Sequence, residues 1–360
     1  MKKSLMLIML ILLVFGFVFS LMPKTITHAQ IIEQNFVVYD EDENFLFERI
    51  GVVVGDEYID KYFNKYQVYL VDEVKKEAKA RFIETLPKPN ITKKDKTQID
   101  QWQTNKKIAL YLTHNAESYI IGDGTDSFWG KGGIHDIAKK LKAELENKNI
   151  EIFLDETLHL PHDSGAYSRS RKTASALLKN KPDAIFDIHR DGVSRNTYAK
   201  ITNGVEHSRV RIVVGQANAN NDKNMQFALY LLSVAEVSYP WLFLDIYNAK
   251  GHYNQDLLEK ALLFEMGTYT IEKDLVLKTV KPLADVINTT LYGTTVDTES
   301  GELTIGGNTQ TQNPTVNEVL SSEPTFASII ANFTTAAAFL TLVSILLFLT
   351  LKYFKNLKNN

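Results

Sequence analysis

Ile108–Thr113 reads IALYLT and runs straight into His114-Asn115-Ala116-Glu117; Ala184–Ile188 reads AIFDI and runs straight into His189; Ala261–Phe264 reads ALLF and runs straight into Glu265. Short, largely apolar runs of this kind suit strands buried on both faces of a sheet. Working outward, Ile134, Ile137, Ala138, Leu141 and Leu145 mark one stripe of an amphipathic helix, with lysines and glutamates opposite. Ile150–Leu154 reads as the next strand, Tyr167–Leu178 as a helix, Val210–Val214 as a strand, Met225–Val237 as a helix and Leu242–Ile246 as another buried run. Ile271–Leu291 closes the series as a helix that Pro282 should kink or break. Strand and helix alternate, so the expected fold is α/β, a mostly parallel sheet with helices on both faces.

The two ends of the 360-residue chain have a different character. Met1-Lys2-Lys3 precedes an apolar stretch from Leu5 to Met22, the pattern of an export signal, with Ala29 at a suitable cleavage position. That stretch is also nearly long enough to serve as an uncleaved anchor, so residues 1–30 read as signal peptide or N-terminal anchor. Phe333–Leu351 (FTTAAAFLTLVSILLFLTL) carries no charge and is followed by Lys352, Lys355 and Lys358. This reads as a transmembrane helix (326–352) with a cytoplasmic tail (353–360), which leaves the region between the two ends on the extracytoplasmic side of the cell membrane. Residues 31–82 read as a small β-rich unit with a helical end at Glu73–Phe82, 83–107 as a linker, 108–294 as the catalytic domain and 295–325 as a flexible stalk.

Composition removes several function classes. Forty Lys and Arg against 43 Asp and Glu give a formal charge of −3, too balanced for a nucleic-acid binder. With no cysteine, a disulfide scaffold, a thiol nucleophile, a cysteine zinc site and an iron–sulfur cluster are all excluded. Any metal must be held by His, Asp and Glu.

In open α/β sheets function gathers beyond the carboxyl ends of the strands, and that is where His114, His189 and Glu265 fall. His-x-x-Glu at 114–117 points an imidazole and a carboxylate at one ion; with His189 this gives the two-His, one-Glu set of catalytic zinc, which keeps a position for water. Glu265 is then free to act as the base toward that water. A carboxylate in the apolar context LLFEMG is costly to bury without a task or a partner. Of the remaining histidines, His28 belongs to the export segment, and His135 and His207 read as surface residues. His159 and His162 share the loop LHLPHD, with His162 the better candidate for the site, and His252 in GHYNQD suits a substrate contact and a plain turn equally.

Five motifs stand in order between Ile108 and Leu291: YLTHNAESY, LPHDSGAYSRSRKTA, FDIHRDG, YNQDL and LLFEMG. In these the chain resembles the stage II sporulation protein P family of cell-wall hydrolases, related in fold to zinc-dependent N-acetylmuramoyl-L-alanine amidases. The resemblance implies His114, Glu117 and His189 as ligands of Zn2+ and Glu265 as the catalytic carboxylate. It implies peptidoglycan as substrate, with cleavage of peptide cross-links beside the amide, and a lytic transglycosylase as partner in sporulation. Arg169, Arg171 and Arg190 would suit the carboxylates of a muropeptide, Asn254 and Gln255 are further candidates for substrate contact, and Asp187, Asp191 and His162 are candidates for orienting the ligands. The chain departs from the family where an Arg-Gly pair usually precedes YNQDL and Leu244-Asp245 stands instead, and in its C-terminal membrane helix. Two rival readings use the same residues: a zinc carboxypeptidase, which shares the order His-x-x-Glu, His, Glu, and a non-catalytic, membrane-tethered wall-binding protein.

Overall fold

IALYLT and AIFDI lie side by side as parallel strands in the computed structural model, with Ile108 opposite Ala184 and Tyr111 opposite Asp187. The structure describes residues 35–89 and 106–293. The strands are β1 (Phe36–Tyr39), β2 (Phe45–Arg49), β3 (Glu57–Ile59), β4 (Asn64–Asp72), β5 (Glu77–Thr85), β6 (Lys107–Tyr111), β7 (Glu151–Leu154), β8 (Ala184–Asp191), β9 (Ala199–Thr202), β10 (Val205–Ser208), β11 (Val210–Gly215), β12 (Phe243–Ala249) and β13 (Ala261–Thr268). The longer helices are α1 (Ile134–Glu146), α2 (Ala166–Leu177), α3 (Asn221–Ser238) and α4 (Lys273–Tyr292).

Eleven strands form one sheet in the order β2-β1-β5-β4-β3-β12-β11-β13-β8-β6-β7. Its last six strands are parallel at every junction but one, β11 against β13. The first five are joined mostly antiparallel and enter the same sheet where β3 pairs with β12, Tyr58 opposite Tyr247. The fold is thus mixed α/β, parallel in the part that carries the site.

Side chains alternate across a strand, so each strand of this sheet has two faces with different coverings. On one face Ile108, Leu110, Phe186, Ile188, Ile212, Phe264 and Met266 pack against Ile137, Leu141, Phe227, Val276, Val280 and Leu283 from α1, α3 and α4. On the other face α2 covers only the β6 side, through Ala174 and Leu177 against Ala109, Tyr111 and Ile185. The rest of that face, Val213, Tyr247 and Leu263, is covered by Phe36, Val38, Phe47 and Tyr58. The expectation of helices on both faces therefore holds for one face and in part for the other, where N-terminal strands curl back over the sheet they extend.

The expectations for Glu73–Phe82, His135 and His207 need correction. Glu73–Phe82 ends in strand β5, not helix: Ala78 and Ala80 are buried while Lys79 and Arg81 alternate with them, a period of two that only a strand delivers. Pairing with β1 and β4 outweighs the helix preference of a Lys-, Glu- and Ala-rich segment. The helix expected over Ile271–Leu291 is present as α4, and it is not broken at Pro282; burial of Val276, Val280, Leu283 and Ile287 offsets the missing hydrogen bond. His135 is buried rather than on the surface, its Nδ1 3.0 Å from Glu156 Oε1, and His207 stands in β10, half-buried, with its ring stacked on Trp241 at 3.9 Å.

Among the described residues no helix is long and apolar enough to cross a membrane. The export segment, the candidate span at Phe333–Leu351, the stalk, the tail and most of the linker lie outside the described residues.

Candidate metal and catalytic site

Along β8, Asp187, His189 and Asp191 share one face while Phe186 and Ile188 turn to the helical core. Glu265 on β13 is directly opposite His189 in the parallel register, and Arg211 on β11 is directly opposite Glu265. Cross-strand partners project to the same side, so the alternation that buries the apolar residues also gathers these polar ones. The turn after β6 adds His114 and Glu117, closed by the Glu117 N–H donating to the His114 carbonyl at 3.3 Å.

His114, Glu117 and His189 each present a ligand atom, and these atoms all lie within 4.8 Å of one another. His114 Nδ1 is 3.2 Å from Glu117 Oε1, and His189 Nδ1 is 3.7 Å from the same oxygen. Glu117 and His189 are buried; His114 is partly open to solvent. Burial alone would protonate Glu117, but the facing His189 and His114 rings outweigh it and hold the carboxyl well below the usual range. The converse holds for His189: burial opposes its charge, yet Asp187 and Glu117 draw its pKa well above the ordinary value. A site with two imidazoles and a carboxylate, electrostatically calling for positive charge, fits a divalent cation. His189 Nε2 is buried 3.0 Å from Asp187 Oδ1 without making a hydrogen bond among the described residues. Asp187 is held in turn by the Thr113 N–H at 2.8 Å and the Thr113 hydroxyl at 2.6 Å, an outer carboxylate fixing the ring of a ligand.

Glu265 Oε2 is buried, and no donor reaches it among the described residues. Burial, and then the charge of Asp191, push this carboxyl up to about 7 against the lowering influence of His189 and Arg49. Arg49 lies 3.9 Å from the other oxygen, Oε1. His162 stacks on His114 with ring centroids 3.9 Å apart, and Tyr167 meets His114 edge-on at 5.4 Å.

The remaining candidates are placed differently. Arg169 donates to the His159 and Pro161 carbonyls and to Asp163, bracing its own loop. Arg171 forms a two-pronged pair with Asp256, at 2.7 and 2.6 Å. Arg190 donates from its backbone to Glu117 Oε2 at 2.8 Å and from its guanidinium to the Ser118 and Asp126 carbonyls. Asp191 accepts from Tyr198 and Arg211, not from a ligand. Asn254 is tied to Tyr167 O and Ser170 Oγ, Gln255 to Gly215 N and Val213 O. His159 is buried between Leu112 O and Thr173 Oγ1, and His252 is exposed. Sequence reasoning missed Arg49 and Tyr167; the latter stood inside a quoted motif, and the former carried no local signal.

The family model described as Stage II sporulation protein P (SpoIIP) matches residues 42–288. The chain belongs to this family. The match takes in β2 to β5 as well as the six-stranded part, in keeping with a single continuous sheet. The Stage II sporulation protein P of Bacillus subtilis (strain 168) is 29% identical over 220 residues, which is 55% of this chain and 55% of that one; the chain thus spans about half the length of this curated relative. Among solved structures, the N-acetylmuramyl-L-alanine amidase Ami1 from Mycobacterium smegmatis is 14% identical with a TM-score of 0.36, over 52% of this chain and 95% of that one. The CwlD amidase from Clostridioides difficile, solved in complex with the GerS lipoprotein, is 15% identical with a TM-score of 0.35, over 52% and 96%.

Proposed function

We propose that this SpoIIP-family chain is a peptidoglycan hydrolase that cleaves the amide between N-acetylmuramic acid and L-alanine, with His114, Glu117 and His189 holding zinc and Glu265 moving the proton. The observation that carries the reading is the register of β8 and β13, which sets a buried carboxylate with one donor-free oxygen beside a His/Glu/His cluster. When bound, zinc supplies Lewis acidity toward a water molecule and the scissile carbonyl. The protein's own part is to hold Glu117 ionised, to fix His189 against Asp187, and to offer Glu265 Oε2 for the proton of the attacking water. A carboxyl near neutrality accepts that proton and returns it to the leaving amine with little penalty in either direction. Cross-link cleavage, an extracytoplasmic position at the cell membrane and work beside a lytic transglycosylase belong to the same proposal.

The test is mass spectrometry of muropeptides released from purified cell wall by the zinc-loaded protein. Intact stem peptides freed from glycan support the amidase; loss of only the terminal D-alanine shows a carboxypeptidase, and no release shows a binding protein. His114→Ala and His189→Ala each remove one of three protein ligands, so bound zinc should fall ten- to a hundredfold or more in affinity, and activity with it. Glu117→Ala should do the same if it is a ligand. Metal analysis showing unchanged zinc in the histidine variants would remove this assignment.

A further inference from the structure

We propose that Arg49, contributed by the N-terminal strands, is a positioning residue that aims the Glu265 carboxylate; this rests on Glu265 being the base. The end of β2 is fixed over the end of β8 on both sides of Arg49. Before it, Glu48 Oε2 accepts from the Ser194 hydroxyl at 2.5 Å and the Thr197 hydroxyl at 2.7 Å, and the Glu48 carbonyl accepts from Arg211 at 3.1 Å. After it, Ile50 packs so closely on Gly192 that a Cβ added there would lie 2.3 Å from Ile50 Cδ1. Between these anchors the Arg49 guanidinium lies over the Tyr247 ring, 4.4 Å from its centroid, and Tyr247 is itself held by its hydroxyl donating to Asp56 Oδ2 at 2.6 Å. A planar cation stacked this way has its direction set by the ring beneath it.

From that seat Arg49 faces Glu265 Oε1 at 3.9 Å and leaves Oε2 without a donor. The asymmetry is what a base requires: one oxygen drawn aside by charge, the other free to take a proton. Asp191, a further buried carboxylate, also feels the Arg49 charge but is already engaged by Arg211 at 2.8 Å and by the Tyr198 hydroxyl, whereas Glu265 is the carboxylate within ion-pair distance of Arg49 among the described residues. His189 and Glu117 are further charged neighbours of Glu265, the first favouring its ionised form and the second opposing it. The strands that sequence analysis separates as a distinct unit therefore supply one wall of the site and a residue acting on its base.

Arg49→Met keeps an apolar stem on Tyr247 and removes the charge. In the zinc-loaded full chain it should lower kcat for muropeptide release ten- to a hundredfold, the scale on which misplacing a reacting group acts, with KM and bound zinc unchanged. Arg49→Lys, which retains a cation, should recover most of the loss. In a Glu265→Gln background, Arg49→Met should cause no further fall, because a residue acting through Glu265 has nothing left to position. Should the Met variant fold poorly, Arg49→Gln is a second charge-free replacement read the same way. Wild-type kcat in Arg49→Met beside an inactive Glu265→Gln overturns this inference and leaves the proposed function standing. Equal losses from Arg49→Met in both backgrounds overturn it too, as does zinc loss in the Met variant. Full activity of Glu265→Gln overturns this inference together with the assignment of Glu265 as the base.

Discussion

Glu265→Gln is expected to retain about one zinc per chain and to lose on the order of a hundredfold or more in the rate of wall digestion, the usual size of a general-base contribution. The amide has the shape of the carboxylate, so the pocket beside His189 is preserved, but it cannot accept a proton from water. Because Glu265 Oε2 has no donor of its own among the described residues, no hydrogen bond is broken by the exchange, and the loss reports chemistry rather than folding. Zinc analysis and muropeptide release on the same preparation separate this variant from His114→Ala and His189→Ala, which should lose both. A Glu265→Gln protein digesting wall at the normal rate would assign the proton transfer elsewhere, with Asp191 the next carboxylate on that face of the sheet.

Arg211→Met should produce the largest change in stability. Arg211 is completely buried, and it donates to both oxygens of Asp245, at 2.7 and 2.9 Å, and to Asp191 at 2.8 Å. Removing the cation strands the buried Asp245 carboxylate and takes a charged partner from Asp191, which keeps the Tyr198 hydroxyl and the Gly192 N–H, a loss of about 3–5 kcal/mol where one such partner is removed. For a domain of this size that corresponds to a fall in Tm on the order of 10 °C. Since the penalty belongs to the stranded charges and not to the missing attraction, a double variant, Arg211→Met with Asp245→Leu, should regain part of it. Denaturant unfolding checks both; a single variant within about 0.5 kcal/mol of wild type would mean that the pair is not closed off from water as described. The Asp245 carboxylate is thus the counter-ion of Arg211 in the sheet.

How much of this was legible depends on whether the determining contact was local. His114 could be read because it lies just past the apolar strand β6. His189 and Glu265 were found by apolar runs of the same kind, although the strands continue beyond them to Asp191 and Thr268, so that they stand inside β8 and β13 and not past their ends. Glu117 followed from its spacing to His114. The burial of His135 could not be read, because its partner Glu156 comes from the far side of α1 and β7. Nor could the engagements of Arg169 and Arg190, since most of their partners are backbone carbonyls of loops, and carbonyls leave no mark in a sequence. Strand β5 has a helix former's composition and is a strand only because β1 and β4 flank it. Arg49 was hidden most completely, since FLFERI is an ordinary edge-strand pattern until the sheet curls it onto Glu265.

The junction of β3 with β12 has a consequence for how the chain reaches this state. Asp56 and Tyr247, which bond across that junction, are 191 residues apart, so the first five strands, which pair among themselves, cannot join the rest of the sheet until nearly all the others exist. Topologies dominated by such distant pairings fold slowly, because the loop must close before any contact rewards it. Until then β12 is a bare sheet edge, and the apolar face of Val213, Tyr247 and Leu263 stands uncovered, the combination that templates aggregation. A chain with this architecture should therefore depend on chaperoning during its maturation more than its ordinary composition suggests, and removing β1 to β5 should yield inclusion bodies, not a smaller enzyme.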